Sequence, residues 1–157
     1  MWWFALILSA LSSLEAIAGD REMFAAYCVG VFENTSKWTG KEPPDEQSKS
    51  KASLEEASRR RDRLRAYVEQ ARAKDPNDKT FDFATKVGHE DQYTCGTAMM
   101  NALERAMNAA IDADTKRILN NQPGTFHVDR SEVDKIAQTL PACQRSKRCF
   151  QPNLIPY

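Results

Sequence analysis

Apolar residues recur at helical spacing along much of this chain, most clearly between Cys95 and Leu119. They occupy positions i, i+3, i+4 and i+7, which form one face of an α-helix, while polar residues such as Glu104 and Asp112 occupy the other face. The apolar positions are Cys95, Ala98, Met99, Ala102, Leu103, Ala106, Met107, Ala110, Ile111 and Ile118. Because this arc is wider than one partner helix covers, the pattern predicts a central helix over residues 95–119 with neighbours on more than one side.

Methionines on this face allow two interpretations. Met99 and Met107 lie within the apolar arc, and Met100 lies near its edge. Methionine fills irregular gaps in protein cores, and it also lines adaptable binding surfaces. Since large apolar side chains are more often buried, the sequence favours core packing for Met99 and Met107.

Two further long helices are predicted before the central one. The first runs over residues 20–33, with Asp20 at its N-cap. The capping-box pattern Ser53-x-x-Glu56 predicts a second helix over residues 53–74. The remaining predicted elements are a short helix over residues 83–88, a last helix that ends near Leu140, and an irregular C-terminal tail from Cys143 to Tyr157.

The N-terminus has the pattern of a secretory signal peptide. Its apolar run Trp2–Leu14 is shorter than the roughly 20 residues that span a bilayer, and Ala16-Ile17-Ala18 resembles a cleavage site of small residues. No Lys or Arg precedes the run, so a retained helix and a membrane anchor remain as alternatives. We predict a signal peptide over residues 1–18 and a single helical domain over residues 19–157, without a transmembrane segment.

Four cysteines, Cys28, Cys95, Cys143 and Cys149, follow the signal peptide. An even number in an exported chain indicates two disulfides, and hence a secreted or periplasmic protein. The helix faces favour Cys28–Cys95 and Cys143–Cys149, whereas the rival pairings would make the tail a clamp across the helices. The predicted fold class is therefore all-α: a small disulfide-stapled bundle of three longer helices and one or two short ones around the central helix.

The overall charge and the motifs exclude several functions. The chain has 22 basic and 22 acidic side chains, which argues against nucleic-acid binding. No glycine-rich phosphate loop or cofactor motif occurs. The cluster His89-Glu90-Asp91 could bind a metal or move protons, but it lacks the second histidine of the H-E-x-x-H motif. Its alternative role is a polar start to the central helix, with acids near the positive helix N-terminus.

A stripe of arginines, Arg59, Arg60, Arg61 and Arg63, lies on the second helix. It could bind an anionic lipid or glycan. The i, i+4 pairs with Glu55 and Glu56 are equally typical of an ordinary solvated face. Arg61 falls within the apolar arc, so its guanidinium must extend to solvent, find a buried carboxylate, or mark a cleft.

No nucleophile, base and orienting group can be assembled from these residues. We therefore expect an exported, non-catalytic binding, accessory or inhibitor-type factor, with an unknown protein or an anionic envelope component as its partner. One alternative is a hydrolase or metal-dependent enzyme that uses His89, Glu90 and Asp91. The other is a binder of anionic lipid or glycan through the arginine stripe.

Overall fold

The computed structural model describes residues 21–35 and 47–151 and shows an all-α fold without strands in that part of the chain. Residues 21–35 are helical and form α1. The other elements are α2 (Gln47–Arg72), α3 (Thr80–Leu119), α4 (Ser131–Thr139), α5 (Pro141–Lys147) and a 3-10 turn (Arg148–Phe150). These helices pack together and two disulfides link them, so the predicted fold class is confirmed.

The hydrophobic core surrounds α1. Most of its side chains between Ala25 and Phe32 are buried, where they pack against Leu64 and Val68 of α2 and Phe81 of α3. A helix that is apolar around most of its circumference must be covered on several sides. The C-terminal segment supplies part of this cover, since the Phe150 ring meets the Phe32 ring edge-on at 5.1 Å.

Two glycines allow α1 and α3 to cross at close range. A Cβ atom at Gly30 would overlap the carbonyl oxygen of Thr85, and one at Gly88 would overlap that of Tyr27. The Thr85 hydroxyl also donates a hydrogen bond of 3.1 Å to the Ala26 carbonyl across this crossing. The absence of side chains at both glycines therefore determines how closely the two helices approach.

The central helix is longer than predicted, because it begins at Thr80 rather than at Cys95. Asp78 accepts hydrogen bonds from the Thr80 backbone N–H and hydroxyl, which helps to start the helix there. The predicted separate helix over residues 83–88 is wrong, since those residues belong to α3. Gly88 serves the helix crossing and does not interrupt the helix.

Two other boundaries also differ from the predictions. Since α2 begins at Gln47, Ser53 lies inside the helix and the predicted capping box is wrong. The tail over residues 143–150 is helical rather than irregular, because Pro141 occupies the first turn of α5, where proline is favoured. Leu140 is extended, as expected before a proline, and this residue separates α4 from α5.

The disulfide pairing predicted from the helix faces is wrong. Cys28 is bonded to Cys149, and Cys95 is bonded to Cys143, with Cα–Cα distances of 5.4 and 4.9 Å. The face of α1 that meets α3 carries Tyr27 and Gly30, so Cys28 is directed elsewhere. The rival arrangement is therefore the correct one, and the C-terminal segment clamps the helices.

Several predictions fall outside the described residues. These are the signal peptide, the Asp20 cap and the end of the tail from Pro152. None of the helices that the structure describes has both the length and the hydropathy needed to cross a membrane.

Candidate protein-binding surface

Asp91 lies at the junction of three helices and has a structural role. Its carboxylate accepts two hydrogen bonds of 2.7 Å from the Arg145 guanidinium of α5. It also accepts one of 2.8 Å from the Tyr27 hydroxyl of α1. The carboxylate is nearly buried, and the bidentate geometry is the strong form of this ion pair.

The pKa values at this junction reflect the same contacts. Burial works to raise the pKa of Asp91, but the hydrogen bonds from Arg145 and Tyr27 outweigh it and hold that pKa below its usual value. Burial and the hydrogen bond to Asp91 raise the pKa of Tyr27 well above its usual value. At neutral pH Asp91 therefore remains ionised and Tyr27 remains protonated, as the hydrogen bond between them requires.

The other two residues of the predicted cluster point in different directions, because successive helix residues are rotated by about 100°. Glu90 is exposed and lies 3.8 Å from the Lys86 ammonium. His89 is partly buried, and its backbone carbonyl accepts a hydrogen bond from Asn34. Within the described residues, no three His, Cys, Asp or Glu side chains could hold a metal ion together. This arrangement gives no support to catalysis by His89, Glu90 and Asp91.

The arginines of α2 are partly engaged in contacts within the chain. Arg60 donates to Glu56 at 2.8 Å and to the Phe150 carbonyl at 3.3 Å. Arg59 lies 3.6 Å from the same glutamate. Arg60 therefore contributes to the attachment of the C-terminal segment, and Arg59 is the more exposed of the two.

Arg61 pairs at 2.9 Å with the adjacent Asp62, whose carboxylate is exposed, so the predicted alternative of a buried carboxylate is wrong. Arg63 is exposed. Binding of lipid or glycan by this stripe stays a prediction.

The C-terminal half of α3 carries an apolar surface that the rest of the described chain leaves uncovered. Met100, Met107 and Ile111 are 49%, 43% and 49% exposed, and Leu103 between them is partly buried. We call Met100, Leu103, Met107 and Ile111 the open stripe. The groove along this stripe has a volume of about 290 Å³ and is bordered by Glu104 and Asn108.

The opposite flank of this half of α3 is covered by the chain that follows it. Ala102 and Ala110 are buried there, Val133 of α4 is buried as well, and Arg105 pairs with Glu132 at 2.6 Å. Since α1 packs beside residues 85–91, the described part of the chain places neighbours on several sides of α3 along its N-terminal half. The width of the apolar arc was the sequence signal for this surface, but the assignment of Met107 to the core was wrong.

One acidic group borders the open stripe. Glu104 is exposed there, whereas the carboxylate of Asp114, one turn beyond Ile111, lies against Gly124 of the segment that follows α3. One carboxylate oxygen of Asp114 is buried and has no hydrogen-bond partner among the described residues. The only basic side chain between residues 96 and 115 is Arg105, which is paired with Glu132. The surface is therefore apolar along its centre, with one exposed carboxylate, that of Glu104, at its border.

Comparisons of the chain with protein-family models, with curated proteins and with solved structures found no match.

Proposed function

We propose that this protein is an exported, non-catalytic binding factor that engages a protein partner through the open stripe of α3. The observation that carries the proposal is the run of four large apolar side chains on consecutive turns of one helix, of which Met100, Met107 and Ile111 are about half exposed. Leaving such a run in water is unfavourable. Contiguous apolar patches on a protein surface mark sites of interaction with a partner. Methionine suits this role because its flexible side chain adapts to a partner.

Export is the second part of the proposal. The two disulfides suit an oxidising compartment, and the first 18 residues have the pattern of a cleaved signal. The chain should therefore work in a periplasm or outside the cell, with Gly19 as its first residue. Intact-mass measurement on exported protein tests this, and a mass that still includes residues 1–18 would contradict cleavage.

The binding function is tested by site-specific photo-crosslinking in the protein's own export compartment. A photoreactive amino acid at Met107 should form a crosslink to a partner protein. The same amino acid at Phe83, which is exposed on α3 away from the stripe, should not. Crosslinks from neither position, nor from Met100, Leu103 or Ile111, would refute the proposal.

A charged substitution provides an independent test. Met107→Glu should abolish the partner complex without loss of helix content, because position 107 is half exposed. Phe83→Glu is the matched control, since it introduces the same charge at an exposed apolar position of the same helix. Equal capture of the partner by both variants would show that the stripe is not the binding site.

A further inference from the structure

We infer that the partner at the open stripe is a second copy of this chain, whose own α3 docks there in the antiparallel direction. This inference rests on the proposed function and names its partner. Ile118, which is 61% exposed, extends the stripe beyond Ile111 on the same face of α3. At about 100° per residue, these two side chains project within about 40° of Met100 and Met107. Exposed apolar side chains therefore follow one line of α3 over about 27 Å.

The spacing of these side chains is symmetric about position 109. Met100 and Ile118 both lie nine residues from that position, and Met107 and Ile111 both lie two residues from it. A two-fold axis at that level, perpendicular to α3, would place Met100 opposite Ile118 of the other copy and Met107 opposite Ile111. An isologous interface requires such reciprocal pairs, whereas a partner of different sequence imposes no symmetry on the stripe. Each of the four exposed side chains would then face an apolar side chain.

The charges of the chain are compatible with this pairing. Glu104 is the only charged side chain that borders the groove in the described part of the chain. In the antiparallel pair it reaches the level of Asp114 of the other copy, whose carboxylate lies against Gly124 and not in the groove. The two Glu104 carboxylates would be about 15 Å apart along the helix axes, beyond the screening length at physiological salt. With 22 basic and 22 acidic side chains, the chain has no net charge that would keep two copies apart.

The length of the overlap determines the strength of the pair. Because α3 ends at Leu119, which reaches the level of residue 99 in the other copy, the two helices overlap over residues 99–119. The partner helix therefore ends before the crossing of α1 with α3 at residues 85–91. An overlap of about 30 Å buries roughly 900 Å² over both copies, less than the roughly 1,200 Å² of stable complexes. We therefore expect a dimer that forms at micromolar concentrations.

Sedimentation velocity of the oxidised, exported protein between about 1 and 200 µM tests the inference. The proportion of dimer should rise with concentration. Met107→Glu should weaken the dimer by about tenfold or more, because it introduces a charge near the centre of the interface in both copies. Phe83→Glu, the same charge at an exposed position of α3 outside the overlap, should leave the dimer unchanged. Unchanged helix content in circular dichroism shows that both variants fold.

Two further variants test the antiparallel register. Met100→Lys and Ile118→Glu should each weaken the dimer by about tenfold, because each places a charge opposite an apolar side chain. An equimolar mixture of the two variants should regain the dimer, since the two new charges would face each other across the interface. In a parallel pair, positions 100 and 118 of the two copies would be about 27 Å apart, and the mixture would stay as weak as each variant alone.

The outcomes distinguish this inference from the proposed function. A monomer at every concentration, with crosslinks from position 107 to a different protein, would overturn the second copy and leave the binding function intact. A dimer that Met107→Glu does not weaken would overturn docking at the stripe. A mixture that regains no dimer would overturn the antiparallel register. A monomer without crosslinks from any position of the stripe would overturn both proposals.

Discussion

Replacing Gly88 with alanine should destabilise this protein, although the same change normally stabilises a helix interior by about 1 kcal/mol. The new Cβ would overlap the Tyr27 carbonyl oxygen and lie 3.2 Å from the Val31 backbone nitrogen. Both neighbours are backbone atoms of a buried helix, so α1 and α3 must move apart. Overpacking of this kind costs about 3 kcal/mol at the upper end of its usual range. After the propensity gain, the net loss is about 2 kcal/mol.

Urea unfolding of the oxidised protein, followed by far-UV circular dichroism, measures this loss. Thr115→Ala is the control, because Thr115 is exposed on α3 away from the crossing and alanine there should raise stability by a few tenths of a kcal/mol. Gly30→Ala should resemble Gly88→Ala, and the double variant should cost less than the sum, since one substitution already separates the helices. If Gly88→Ala instead stabilises the protein as the control does, the close crossing is refuted.

Further predictions concern the disulfide clamp, the ion pair between Asp91 and Arg145, and the exposed face of α2. Cys28→Ser and Cys149→Ser should each lower the free energy of unfolding by about 3–5 kcal/mol. The double variant should lower it no further, because both substitutions open the same loop. Unequal losses in urea unfolding would contradict the pairing. Arg145→Ala should lower the free energy of unfolding by about 2 kcal/mol. This loss is smaller than for a fully buried ion pair, because the guanidinium is half exposed. Because the pKa of Asp91 is lowered in the folded state, the ionised carboxylate contributes to stability above about pH 4, and this contribution is lost as the pH falls further. Arg145→Ala should therefore make the free energy of unfolding fall less steeply with decreasing pH below that value. An unchanged slope would show that the ion pair does not form. Arg59→Ala should change the melting temperature by no more than about 2 °C, since exposed pairs contribute little, and a large drop would mean that its face of α2 is buried.

The sequence predicted only part of the candidate surface. The apolar arc of residues 95–119 was evident from its spacing, and its width indicated several neighbours. Which part of the arc stays open depends on where α4 and the preceding segment pack, and no local pattern encodes that. For the same reason His89, Glu90 and Asp91 resembled a site in sequence, whereas the fold directs Asp91 to Arg145, a residue 54 positions away.

The sequence by itself determined the helical class, the approximate positions of the long helices and the presence of two disulfides. These properties depend on residue spacing, on local backbone preferences and on the number of cysteines. The tertiary structure alone decided the cysteine partners and the burial of α1. Each of these depends on contacts between residues distant in the chain. Gly30 and Gly88 illustrate the difference, because each would weaken an isolated helix, yet together they permit the crossing around which the core forms.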